Sequence, residues 1–186
     1  MSYSDQLLQG TMLTEQSMLQ DLETLQHHYE AMGLTARVLP SSQAAPMPSL
    51  VAVAEAEDVD PLMLTHSFLP LDSESAEFTK YLQFYCELTG SLEKVDRLTL
   101  LECVNRLNQT LPYGTALLVE PRPELELPLM AAVRSVQGFQ LELPIDQAVF
   151  TEDAILFQLS CHMVAFVMEA LREGRTVDEA FAQLDQ

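Results

Sequence analysis

The stretch Tyr81–Thr89 alternates apolar and polar residues without a break. Leu82, Phe84, Cys86 and Leu88 fall on one side, and Gln83, Tyr85, Glu87 and Thr89 on the other. Side chains in an extended strand point to opposite faces with a period of two, so this pattern predicts a strand buried on one face. One face packed and one wet is the habit of antiparallel sheets, and Gly90 is placed to close the strand. A chain holding such a strand needs a layer to cover the apolar face.

Three longer stretches have the spacing to supply it. Met18, Leu22, Leu25, Tyr29 and Met32 recur at four, three, four and three, with Thr14 as cap and Gly33 as left-handed stop. Leu100, Val104, Leu107 and Leu111 repeat the pattern after Asp96, and Pro112 and Gly114 end it. Ile155, Leu159, Met163, Phe166 and Ala170 form a third stripe, which Leu156, Val164, Val167 and Leu171 widen; Thr151 is the expected cap. That stripe is wider than one sheet face asks for, so part of it is expected to meet another subunit or partner. Thr176-Val-Asp-Glu179 is a capping box that opens a short terminal helix.

Between the helices, Ser49–Ala56, Leu62–Leu69, Thr115–Glu120 and Leu129–Val136 read as further strands, with Phe139–Leu143 as a possible extra edge. Thr35–Leu39 is a short apolar piece, Pro40–Pro48 a loop, Glu57–Pro61 an acidic turn, and Asp72–Ser75 another loop. The expected order is α-βββ-α-ββ(β)-α, an α+β fold with a mostly antiparallel twisted sheet covered by helices. The 186 residues suit one domain: an extension over 1–13, a core over 14–174 and a short helix over 175–186.

Charge narrows the partners. Twenty-eight acidic and nine basic residues leave a net charge of −19. Such a surface repels phosphate backbones and anionic lipids, so neither nucleic acid nor membrane is expected, and basic partners are favoured. The start, Met1-Ser-Tyr-Ser-Asp-Gln, lacks the basic and apolar regions of a secretory signal, which makes the cytoplasm the expected compartment.

Chemistry is hard to find. Cys86, Cys103 and Cys161 are far apart, without CxxC spacing, and read as buried free thiols. His27 and His28 are adjacent on a helix and diverge by about 100°, which suits a solvated surface better than a metal. His66 in a strand and His162 beside Cys161 read as core or interface residues. No nucleotide cradle, nucleophile elbow or HExxH spacing occurs, so no enzymatic activity, cofactor or metal is expected.

Leu100-Leu-Glu-Cys-Val-Asn-Arg-Leu-Asn108 followed by Tyr113-Gly-Thr-Ala-Leu-Leu-Val-Glu120 resembles the YbjN family, whose members share the fold of type III secretion chaperones. Asn105 and Asn108 match that family's N-x-x-N pattern. The resemblance implies a helix-covered antiparallel sheet, often dimeric, without a known reaction and loosely tied to stress response and regulation. From the residues themselves, both asparagines are expected to satisfy turn backbone first. The expected function is non-enzymatic binding of a protein or peptide partner by a homodimer. An effector chaperone of a secretion system and a small-ligand sensor are the alternatives. The contact residues are expected at Met18 and Leu22 on the first helix and at Leu156, Phe166 and Val167 on the last long one.

Overall fold

The computed structural model describes residues 13–43, 45–56, 59–70 and 78–184. In chain order these form α1 (Glu15–Ala31), β1 (Thr35–Leu39), β2 (Ser49–Ala56), β3 (Val59–Phe68), β4 (Thr79–Glu87), α2 (Arg97–Leu107), β5 (Thr115–Val119), β6 (Met130–Gln140), α3 (Gln147–Arg172) and α4 (Val177–Ala182). The strands make one open antiparallel sheet in the order β1-β2-β3-β4-β6-β5. The α+β class expected from the sequence is what the chain adopts. The extension over 1–12, the turn residues Glu57 and Asp58 and the loop over 72–75 lie outside the described residues.

Local signals explain the element ends. Thr14 and Ser17 cap each other's backbone at the start of α1. At its end Gly33 takes φ +85°, and the Leu34 N–H donates to the Tyr29 carbonyl at 3.0 Å while Gly33 N–H donates to Glu30. That pair of bonds is the left-handed helix stop its glycine implied. Asp96 caps α2 through the Thr99 N–H at 3.0 Å. Thr176 and Glu179 form the anticipated capping box of α4.

Five expectations are corrected. Thr35–Leu39 is a strand, pairing with β2 from Thr35↔Val53 to Leu39↔Ser49, so four strands precede α2 instead of three. It lies at the sheet edge, and the Gln26 side chain accepts the Val38 N–H at 3.1 Å, giving that donor a partner off the ladder. Pro61 belongs to β3 and not to a turn; it stands near the strand's start, where proline's missing donor disturbs the ladder least. Gly138 does not end a strand. β6 runs through it to Gln140, and the missing Cβ leaves room for Thr79 Cγ2 and a Tyr81 ring carbon, which a Cβ would approach to 3.1 and 3.4 Å. Of the expected edge strand at Phe139–Leu143, only Phe139 and Gln140 are extended, as the tail of β6, and residues 141–143 turn. Finally, α3 starts at Gln147, not after Thr151: the Asp146 carboxylate accepts the Ala148 and Val149 N–H groups at 2.9 and 3.2 Å.

The chain gathers into two compact units. The first holds residues 1–54, 63–84 and 136–152, and the second 55–62, 85–135 and 153–186. In the first unit, the buried side chains of Met18, Leu22, Leu25 and Tyr29 line one face of α1. Tyr29, His66, Phe84 and Phe150 form an aromatic cluster; the Phe84 and Phe150 rings stack with centroids 5.8 Å apart. Beside this core Lys80, itself buried, donates from Nζ to Asp21 Oδ2 at 2.5 Å and to the Leu143 carbonyl at 2.7 Å. Alternation alone placed Lys80 on the buried face of β4. It is tolerated there because both neighbours accept hydrogen bonds from the ammonium and Asp21 also carries the opposite charge.

In the second unit, β5 and β6 pair from Thr115↔Arg134 to Val119↔Met130, and α2 packs against β5 and α4. Arg106 joins α2 to α4: its guanidinium lies 4.2 Å over the Phe181 ring and donates to Asp178 at 2.6 Å. The linker after β5 contains a short 3-10 turn at Pro123–Leu125, closed by Glu126 at φ +55° and a bridge between Arg122 and Leu127.

Candidate functional site

The sheet-facing side of α3 in the second unit is built from Ala154, Phe157, Cys161, Val164, Val167, Met168 and Leu171, all buried. The opposite side is not polar, as an outer helix face usually is. Ile155, Leu159 and Phe166 stand there 50%, 49% and 42% exposed. Their spacing of four and seven puts them in one line, with half-buried His162 between Leu159 and Phe166. Burial lowers the pKa of His162, so the ring is uncharged at neutral pH and extends the apolar line.

Next to Phe166 lies a pocket of about 470 Å³. Leu62, Leu88, Leu92, Ala131 and Met168 contribute its apolar lining, and Glu169, Arg172, Glu173 and Arg175 its polar lining. Arg172 forms an ion pair with Glu169 and donates to the Thr89 carbonyl at 3.3 Å; Arg175 pairs with Glu173 at 3.1 Å. The Arg172 guanidinium rests on Gly90, whose φ of +96° already favours glycine. A Cβ at Gly90 would stand 1.2 Å from Arg172 Nη1, so any other residue would push that cation away.

Of the expected contact residues, Phe166 is exposed and lines the pocket, and Leu156 is half-buried. Val167 is fully buried, as are Met18 and Leu22 in the first unit. Those three are corrected: they fill their own unit's core, and none can touch a partner without the helix lifting off. Ile155 and Leu159 are the exposed apolar residues beside Phe166 on that helix. The signal that separates the stripes is acidic punctuation, since Glu152 and Glu169 lie three residues outside Ile155 and Phe166 on the same line.

Asn108 acts as expected. Its amide donates to the Ala116 carbonyl at 3.1 Å and accepts the Ala116 N–H at 2.7 Å, tying the end of α2 to β5. Asn105 is also exposed, but the two side-chain bonds to Ala116 come from Asn108. All three cysteines are buried and free; burial raises the Cys103 thiol to about 11 and holds the Cys161 thiol, which touches Cys86, in its neutral form. His27 is the solvated residue foreseen, but His28 is not: half-buried, its Nε2 is hydrogen-bonded to Thr151 Oγ1 and its ring edge meets Phe150. Among the described residues, no group of three or more His, Cys, Asp or Glu side chains is placed to hold a metal ion.

The fold and site define an α+β chain with an open antiparallel sheet and an unpartnered apolar line on its longest helix. Comparison with family models, with curated proteins and with solved structures gave no match. α3 has the length and apolar composition of a membrane span, yet half of its most apolar window is buried inside the protein.

Proposed function

We propose that this chain is a non-enzymatic interaction protein that holds a protein or peptide partner on the outer line of α3 and in the pocket beside it. The carrying observation is Phe166: a large aromatic side chain 42% exposed, in line with Ile155 and Leu159, at a cavity with an apolar lining. Three aligned apolar side chains left in water favour association, since covering them returns their hydration water to bulk. The resemblance of Leu100–Asn108 and Tyr113–Glu120 to the YbjN family agrees with a binding role in regulation or stress response.

A photo-crosslinking residue placed at Phe166, with a control at exposed Leu98 on α2, tests the reading in cells. It predicts an identifiable protein adduct from position 166 that is absent from position 98. Equal adducts from both positions, or none from 166, would sink it. The pocket's volume also suits a small organic ligand, which makes the sensor role the second reading. Native mass spectrometry of the purified protein with a retained small molecule would favour that one.

A further inference from the structure

β5 is an edge of the sheet, and its sequence Thr-Ala-Leu-Leu-Val carries no charge. An edge of this kind is a template on which another chain can add a strand. Successive residues of an antiparallel strand turn their N–H and C=O alternately to the two sides. Ala116 gives its N–H to Asn108 Oδ1 at 2.7 Å and takes a bond from Asn108 Nδ2 at 3.1 Å, so its bonding side faces away from β6. By the same alternation Leu118 also faces outward, and Thr115, Leu117 and Val119 face β6. The Asn108 side chain thus meets Ala116 as a neighbouring strand would, with one acceptor and one donor. It holds the end of α2 at the start of β5, while Arg97 at the start of α2 pairs with Glu120 just past the strand's other end. α2 therefore runs back beside β5, against which it packs.

We propose that Asn108 is a guard on this edge, which keeps the β5 of a second copy of the chain from adding to it. The excluded occupant follows from the register. In a two-fold antiparallel pair centred on Leu117, Ala116 of each copy meets Leu118 of the other, and every bond between the strands uses an Ala116 N–H or C=O. Asn108 occupies both of those groups, so none of these bonds can form. Centring the pair on Leu118 instead keeps only the bonds between the two Leu118 residues free of Ala116. The pair is otherwise favourable, because Leu117 meets Leu117 at its centre and neither strand brings a charge. Asn108 also holds the turn over 108–114 beside the edge, in the path of an incoming strand. β1, the other edge, carries Arg37 and gives one N–H, that of Val38, to Gln26. The guard on β5 acts whatever binds on α3.

Sedimentation velocity on the full chain tests this, in about 0.3 M salt to screen the charge between copies. Asn108→Ala should form a larger species than wild type at the same concentration, with native circular dichroism. Leu118→Pro removes an outward N–H that β6 does not use, a place where an edge strand tolerates proline. Added to Asn108→Ala, it should restore the wild-type species. A labelled peptide of residues 113–120 should bind Asn108→Ala at least tenfold tighter than wild type. Asn108→Ser, too short to reach Ala116, should match Asn108→Ala in both readings, and it decides the matter if the alanine variant does not fold. Folded variants that keep the wild-type species and bind the peptide no better would overturn the proposal. So would association that persists with Leu118→Pro, since that would run through another surface.

Discussion

The Tyr29 and His66 rings lie stacked, centroids 5.5 Å apart and planes 25° apart, and the Tyr29 hydroxyl shares a 2.8 Å hydrogen bond with His66 Nε2. His66 is wholly buried, its Nδ1 has no hydrogen-bond partner, and Phe84 and Phe150 meet it edge-on. Nothing in this cluster compensates a positive charge. Burial therefore drives the pKa of His66 from 6.5 to about 3.

The consequence is acid sensitivity in one window. Below pH 6.5 the unfolded chain takes up a proton at this residue that the folded chain refuses until about pH 3. Stability from His66 is thus complete above 6.5 and declines as pH falls toward 3, by ~1.4 kcal/mol per pH unit. Between pH 7.5 and 5 the loss from this residue is ~2 kcal/mol. Urea midpoints of wild type and His66→Phe at the two pH values isolate it, since the many carboxylates contribute alike to both. The midpoint should fall less on acidification in the variant; equal falls would refute the assignment.

Lys80 and Asp21 make a second buried polar contact, and here both partners are charged. Lys80→Met leaves the Asp21 carboxylate without its cation and should cost about 3–5 kcal/mol. Adding Asp21→Leu removes the stranded charge and should recover much of that loss. A double-mutant cycle by chemical denaturation measures it, and additive effects would show the pair is not coupled.

Asn108→Ala removes both bonds to Ala116 and leaves a backbone N–H and C=O without their partner, a cost of about 1–3 kcal/mol. Asn105→Ala changes an exposed side chain and should stay within about 0.5 kcal/mol of wild type. Thermal melts of the two variants side by side decide whether the motif's asparagines differ as the geometry requires.

Asp146→Ala strips the α3 cap and should lower stability by ~1 kcal/mol. The stability of Thr151→Ala should instead track that of His28→Ala, because Thr151 Oγ1 meets His28 rather than a helix-end N–H. If Thr151→Ala behaved as a cap loss and Asp146→Ala were neutral, the start of α3 would be misplaced.

Short-range signals were legible wherever one residue's own chemistry decides the outcome. Alternation along Tyr81–Thr89 fixed which side chains of β4 are buried, Gly33 stopped α1 with positive φ, and Thr14, Asp96 and Thr176 capped helices. The exposed line of α3 was legible only in part. The stripe pattern includes both exposed Phe166 and buried Val167, Met18 and Leu22, because a stripe on a wheel does not reveal which side meets the sheet.

What the amino-acid order determined by itself was periodicity and punctuation, because these depend on backbone geometry within a few residues. What only the tertiary structure decided was everything set by a distant neighbour. Thr35–Leu39 became a strand because β2 offered it a ladder, and Gly138 lies within β6 where a Cβ would crowd Thr79 and Tyr81. Lys80 could be buried because Asp21 and the Leu143 carbonyl accept its hydrogen bonds. The outward face of α3 was settled in the same way. The inner side, with seven buried apolar residues, found its packing within the fold, and Ile155, Leu159 and Phe166 were left in the solvent.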